Sequence, residues 1–148
     1  MSAVERARRV REIADGHVAL RGGLLPALHA VQDELGHLDP ADSPTLAEVF
    51  GLSTAEVHGV VSFYDDFRTA PPPPHVVRVC RGEACQSVGS EELLAQVRDT
   101  LAGRADVEVG EVFCLGNCAL GPCALLDGVL RGRVDHDAIL RQVPEPPR

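Results

Sequence analysis

The stretch Val76-Val-Arg-Val-Cys80-Arg-Gly-Glu-Ala-Cys85 decides how this chain is read. Val76–Val79 is a β-branched run that favours a strand, and it leads straight into Cys80. Further on, Val107-Glu-Val109 and Val112-Phe113 read as a second strand region ending at Cys114, with Cys118 just beyond. The two pairs, C-x4-C and C-x3-C, are separated by 28 residues. Each pair opens at the end of a predicted strand. If those strands are neighbours, their loops emerge side by side and four thiols can surround one small inorganic object.

Outward from the pairs, the second half of the chain is α/β. Ser90–Leu101 is an amphipathic helix with Leu93, Leu94, Val97 and Leu101 on its inner face. Ala124–Leu126, an Asp127-Gly128 turn and Val129–Val134 predict a β-hairpin. Asp135 can cap a last helix bearing Ala138, Ile139 and Leu140, and the tail PEPPR is expected to fray. The order β-α-β-β-β-α is that of a compact thioredoxin-like α/β domain, although order alone does not settle the fold.

The first half reads as a bundle of about four helices. In residues 3–15, Val4, Ala7, Val10 and Ile13 recur at helical spacing, and Leu24, Leu28, Val31 and Leu35 mark a second buried face closed by Gly36. Ser43-Pro44 reads as a cap and first-turn proline for a short helix through Leu46, Val49 and Phe50. Ser53–Glu56 matches a capping box ahead of Val57, Val60, Val61 and Tyr64. Pro71–Pro74 can continue neither helix nor sheet and favours a stiff extended spacer. The expected organisation is a helical domain over 1–70, a linker over 71–75 and an α/β domain over 76–148.

Composition narrows the function. A formal net charge of −8 argues against a nucleic-acid surface, and 3% aromatic residues leave no stacking platform. All 14 basic residues are Arg, which removes any Walker or Schiff-base lysine. There is no dinucleotide-binding glycine motif, no zincin His-Glu pair and no nucleophile elbow, so no catalytic residue is predicted. No apolar run is long enough to span a membrane. The charged N-terminus does not suit a signal peptide, so the expected location is the cytoplasm. There thiols stay reduced, and paired cysteines serve as metal, cluster or redox ligands rather than disulfides.

A [2Fe–2S] cluster needs four thiolates, two per iron, and suits two separate chelating pairs. Such a core carries a net charge of about −2, and about −3 when reduced, which Arg78 and Arg81 would offset if they point inward. Gly82, Gly89, Gly116 and Gly121 would let backbone N–H groups approach the sulfurs. Zinc also takes four cysteines at compatible spacing. A thiol exchanger normally uses C-x-x-C, which neither pair has, and the plant-type ferredoxin run C-x4-C-x2-C does not fit either. Cys123 is the odd thiol: either a buried residue opening the next strand or a fifth thiol beside the cluster. The six histidines are scattered and none pairs with a cysteine at ligand spacing.

The motifs CRGEACQSVG and CLGNCALGP, followed by a strand and a DG turn, resemble the thioredoxin-like [2Fe–2S] ferredoxin family. This is the small iron–sulfur subunit of complex I and of NAD-linked hydrogenases and formate dehydrogenases. GGLLPALHAVQDELGHL and LSTAEVHGVVSFYDDF are similar to that family's N-terminal domain, so the resemblance covers roughly residues 20–142. It implies an N-terminal helical bundle followed by a thioredoxin-like α/β ferredoxin domain. It also implies that Cys80, Cys85, Cys114 and Cys118 hold a [2Fe–2S] cluster, with Cys123 at a position where an apolar residue is usual. The implied partners are a flavin- and NAD-binding subunit and a larger iron–sulfur catalytic subunit with molybdenum or tungsten. The motif wording resembles most the gamma subunit of NAD-dependent formate dehydrogenase, with the complex I or hydrogenase subunit as the alternative. A zinc-stabilised interaction module and a thiol oxidoreductase are the competing readings of other classes. The segment GRADVEVGEVFC is shorter than is usual in the family, which implies a trimmed connection.

Overall fold

The computed structural model describes residues 1–144 and divides into two compact units, Met1–Pro71 and Pro72–Arg148. The tail expected to fray lies, beyond Pro144, outside the described residues.

The first unit holds α1 (Ala3–Asp15), α2 (Leu24–Leu35), α3 (Ser43–Phe50) and α4 (Thr54–Phe63). Two capping boxes start helices: Ser2 with Glu5 for α1, and Ser53 with Glu56 for α4. In each, the hydroxyl accepts a backbone N–H that would otherwise lack a partner, worth about 1 kcal/mol. Gly36 ends α2 at φ +82°, where a side chain would be strained. Val10, Leu28, Val31, Leu46 and Val57 are fully enclosed in the core.

Three expectations are corrected here. Val4 is exposed, while Val10 and Ile13 turn inward as expected, joined by Ala14. Ser43 is the first residue of α3 rather than its cap, because a 3₁₀ turn over Pro40–Asp42 precedes it. That turn is held by a local capping box, in which the Asp39 carboxylate accepts the Ala41 N–H and Asp42 accepts the Asp39 N–H. Asp42 is also enclosed by Arg6, whose guanidinium donates to it at 2.8 Å and also to the His37 carbonyl. Finally, α4 stops at Phe63, Tyr64 turns extended and exposed, and Phe67 enters the core.

The second unit is built on one sheet. Its elements are β1 (His75–Cys80), α5 (Glu83–Gln86), α6 (Ser90–Thr100), β2 (Val107–Val112), β3 (Ala124–Leu126), β4 (Val129–Arg131) and α7 (His136–Gln142). The strand order is β2-β1-β3-β4, with β1 parallel to β2 and antiparallel to β3. β1 begins at His75, a residue earlier than expected, because His75 N–H donates to the Asp106 carbonyl at 3.0 Å and pairs with Val107. β2 is one unbroken strand, since Gly110 and Glu111 pair with Arg78 and Val79. At the hairpin, Asp127 and Gly128 both have positive φ, as a two-residue type I′ turn requires. β4 ends at Arg131, earlier than its apolar pattern suggests. Asp135 caps α7 through the Ala138 N–H.

The main core of this unit gathers Val77 and Val79 of β1, Leu93, Leu94 and Val97 of α6, and Ile139 of α7. A smaller cluster lies apart from it: Cys80, Cys85 and Cys123, with Val112 and Leu115 packed against them. The fold is thus a mixed α/β arrangement that places both cysteine loops at one end of the β1–β2 pair.

Candidate metal centre

The parallel pairing sets Cys80 beside Val112, and Arg81 N–H donates to the Val112 carbonyl at 2.8 Å. The loops that follow the two strands therefore leave side by side. On the other flank, Cys80 N–H donates to the Cys123 carbonyl at 2.9 Å, so Cys80 is fixed between β2 and the approach to β3. The first loop closes quickly: the Gly82 carbonyl accepts the N–H groups of Cys85 and Gln86, making the four-residue helix α5. That helix was not expected from the sequence.

The two loops touch through Gly82. A Cβ added there would lie 3.3 Å from the Cys114 Cα and N atoms. Such spacing leaves little room for any side chain, so glycine sets how closely the cysteine pairs approach. Cys114 itself sits at φ +67°, an uncommon conformation for a residue with a side chain, of order 1 kcal/mol in cost. From there the chain runs into a 3₁₀ turn, Cys118–Leu120, in which Leu120 N–H donates to the Asn117 carbonyl at 3.0 Å.

Burial divides the thiols. Cys80, Cys85 and Cys123 are buried, whereas Cys114 and Cys118 are exposed. Burial acts to raise the Cys80 thiol, but the backbone N–H groups of Gly82, Leu115 and Cys114 and the Cys85 thiol together hold it below the ordinary cysteine value. Burial pushes Cys85 up to about 11, against the N–H of Cys123, and Cys85 donates to the Cys80 sulfur. Cys118 is raised by its hydrogen bond to Cys114 and by the nearby charge of Cys114, Cys80 and Cys123. The thiols stand as two hydrogen-bonded pairs; among the described residues, no three His, Cys, Asp or Glu side chains converge on a point for a single metal ion.

Arg81 does not offer a free positive charge: its guanidinium donates to Glu91 at 2.9 Å and to Glu111 at 3.0 Å. Its Nε is buried and, among the described residues, has no hydrogen-bond partner. Arg78 lies mid-strand on β1, opposite Gly110 and Leu125. Of the glycines expected to admit close approach, Gly82 does so. Gly121 does as well, since a Cβ there would lie 3.5 Å from the Cys85 sulfur and 3.1 Å from Val88. Gly89 and Gly116 instead serve positive φ. Gly132 escaped the sequence reading. A Cβ there would lie 2.7 Å from that of Leu120, so the hairpin can seat the Cys118 turn only with glycine at this position.

Residues 10–144 match the thioredoxin-like [2Fe–2S] ferredoxin family. The chain belongs to that family. Its cofactor is therefore a [2Fe–2S] cluster, not zinc. Among relatives of this ferredoxin, a subunit of the NADH-quinone oxidoreductase of Pseudomonas aeruginosa is 28% identical over 128 residues, 82% of this chain and 77% of that one. A subunit of the NADH-quinone oxidoreductase of Thermus thermophilus is 33% identical over 109 residues, 69% of this chain and 60% of that one. The HndA subunit of the NADP-reducing hydrogenase of Solidesulfovibrio fructosivorans is 27% identical across 93% of this chain and 85% of its own. Among solved structures, an NAD⁺-reducing [NiFe]-hydrogenase superposes with a TM-score of 0.66 at 26% identity, covering 82% of this chain and 23% of the hydrogenase chain.

The local structure suits the family's cluster on its own terms. A [2Fe–2S] cluster takes four thiolates, two per iron, and the two cysteine loops bring two hydrogen-bonded thiol pairs together. Three backbone N–H groups already point at the Cys80 sulfur, and two glycines keep the loops close. Hydrogen bonds to sulfur and burial are the levers that set such a cluster's potential. Among the described residues, no helix is long and apolar enough to cross a membrane.

Proposed function

We propose that Cys80, Cys85, Cys114 and Cys118 hold the cluster and that this chain is the electron-transfer subunit of an NADH-quinone oxidoreductase or NAD(P)-linked hydrogenase assembly. In this reading it exchanges single electrons with the flavin of a partner NAD-binding subunit in the cytoplasm. The observation that carries it is the junction of a buried, hydrogen-bonded thiol pair with an exposed one at the end of two parallel strands.

When bound, the cluster supplies a one-electron couple and no bond to a substrate. Cys80 and Cys85 anchor it on the protein side, where the N–H groups of Gly82, Leu115 and Cys114 stabilise negative charge on sulfur. Cys114 and Cys118 hold it at the surface, the side a partner can approach. The flanking Val88, Phe113 and Leu120 are exposed apolar side chains, suited to exclude water from a docked surface. The helical unit serves as a second docking element, with Phe63 of α4 78% exposed beside a groove of about 520 Å³ lined by Leu52, Val60 and Tyr64.

The names of the relatives favour this assembly over the formate dehydrogenase suggested by CRGEACQSVG. Anaerobic purification with visible absorption, iron and acid-labile sulfide tests the cofactor. The expected result is a coloured protein with about two iron and two sulfide per chain. A colourless protein carrying one zinc contradicts it. Subunits that co-purify identify the assembly, and a formate-oxidising partner restores the other assignment.

A further inference from the structure

We infer that Cys123, outside the ligand set proposed above and dependent on it, is a positioning residue that fastens the surface half of the site to the buried half. It is 1% exposed and has three attachments. Its thiol donates to the Asn117 carbonyl at 3.1 Å and lies 3.4 Å from the Leu120 carbonyl, two groups that flank Cys118. Its own carbonyl accepts the Cys80 N–H at 2.9 Å. Its backbone N–H donates to the Cys85 sulfur. One residue thus ties the turn carrying Cys118 to both buried cysteines.

The thiol is a weak donor, but its targets matter. The Asn117 and Leu120 carbonyls set the 3₁₀ turn, and the turn sets where Cys118 stands. An apolar residue at 123 would fill the space and leave the turn unfastened, while the two backbone attachments survived. A serine would keep a donor. If Cys123 only fills space, the order reverses: Val is tolerated, and Ser suffers from a buried hydroxyl.

The experiment compares the cluster-loaded wild type with Cys123→Ser, Cys123→Ala and Cys123→Val. Iron and sulfide are measured on purification, and bleaching of visible absorption is then followed with excess iron chelator. All four should purify with the cluster, since Cys123 is not a ligand. Ala and Val should bleach about tenfold faster, the usual scale for loss of a group that orients a ligand, and Ser should restore the wild-type rate. Wild-type bleaching by Val with fast bleaching by Ser overturns the inference, as does equal bleaching by all four. Purification of Ala and Val without iron overturns it differently, by making Cys123 a ligand. A wild type without iron or sulfide instead overturns the ligand set beneath it.

Discussion

The two cysteine pairs of this ferredoxin are close in space but unlike in surroundings. Cys80 and Cys85 are buried, and backbone N–H groups converge on their sulfurs. Cys114 and Cys118 are exposed, on a chain that departs from regular structure through a positive φ at Cys114 and a 3₁₀ turn at Cys118. The difference teaches that the protein builds the two halves of the site by different means. Sheet pairing and burial fix the first half. The second rests on a loop that touches the first at Gly82 and is tied to it through Cys123.

The largest effect should come from removing a thiol from either half. Cys85→Ser and Cys118→Ser should each lose most of the cluster, measured as iron and sulfide per chain. Retention of the full cluster by either variant would break the ligand set. The two should differ in stability of the metal-free chain. Cys85→Ser places a hydroxyl in a buried position and should lower stability by about 1–3 kcal/mol in urea unfolding, whereas Cys118→Ser, at the surface, should change it by less than about 0.5 kcal/mol.

A second test separates the halves without touching a thiol. Gly82→Val adds a branched side chain where even a Cβ would press on the Cys114 backbone at 3.3 Å. Forcing the loops apart should cost about 1–3 kcal/mol and reduce cluster content, with the sheet retained by circular dichroism. Unchanged cluster content would mean that the loops need not approach so closely.

Much of this organisation is legible in the sequence because it is local. β-branched runs ending at cysteine, a capping box at Ser53 and an Asp-Gly turn all act within a few residues. What escapes depends on distant partners. The burial of Asp42 follows from an ion pair with Arg6, on another helix. The continuity of β2 through Gly110 is imposed by β1. Arg81 could be placed near the site by its position after Cys80, but its pairing with Glu91 and Glu111 belongs to the folded chain. The seat that Gly132 offers Leu120, and the hydrogen bonds of Cys123, likewise arise only when the hairpin folds back on the cysteine loop.

The smallest effect lies at the other end of β1, away from the thiols. Burial acts to raise Asp127, but the His75 hydrogen bond at 3.0 Å and the Val76 N–H together hold its carboxyl below the ordinary range. A depressed carboxylate stabilises the fold above its unfolded pKa, and that contribution disappears as pH falls through the folded value. Wild type should therefore lose, below about pH 4, a contribution that Asp127→Asn lacks at any pH. Because Asp127 is partly exposed, solvent screening limits this to under about 1 kcal/mol, read as the difference between the two proteins' urea midpoints at pH 7 and pH 3. An identical acid dependence in both proteins would remove the hairpin contact from the account.

On the proposed function, these two unlike pairs hold one redox-active two-iron cluster. Electron paramagnetic resonance of the anaerobically purified, dithionite-reduced protein tests it most directly. The expected result is a silent oxidised protein and, on reduction, the signal of one [2Fe–2S] cluster integrating to about one spin per chain. A protein that stays silent after reduction and carries zinc in place of iron would contradict it.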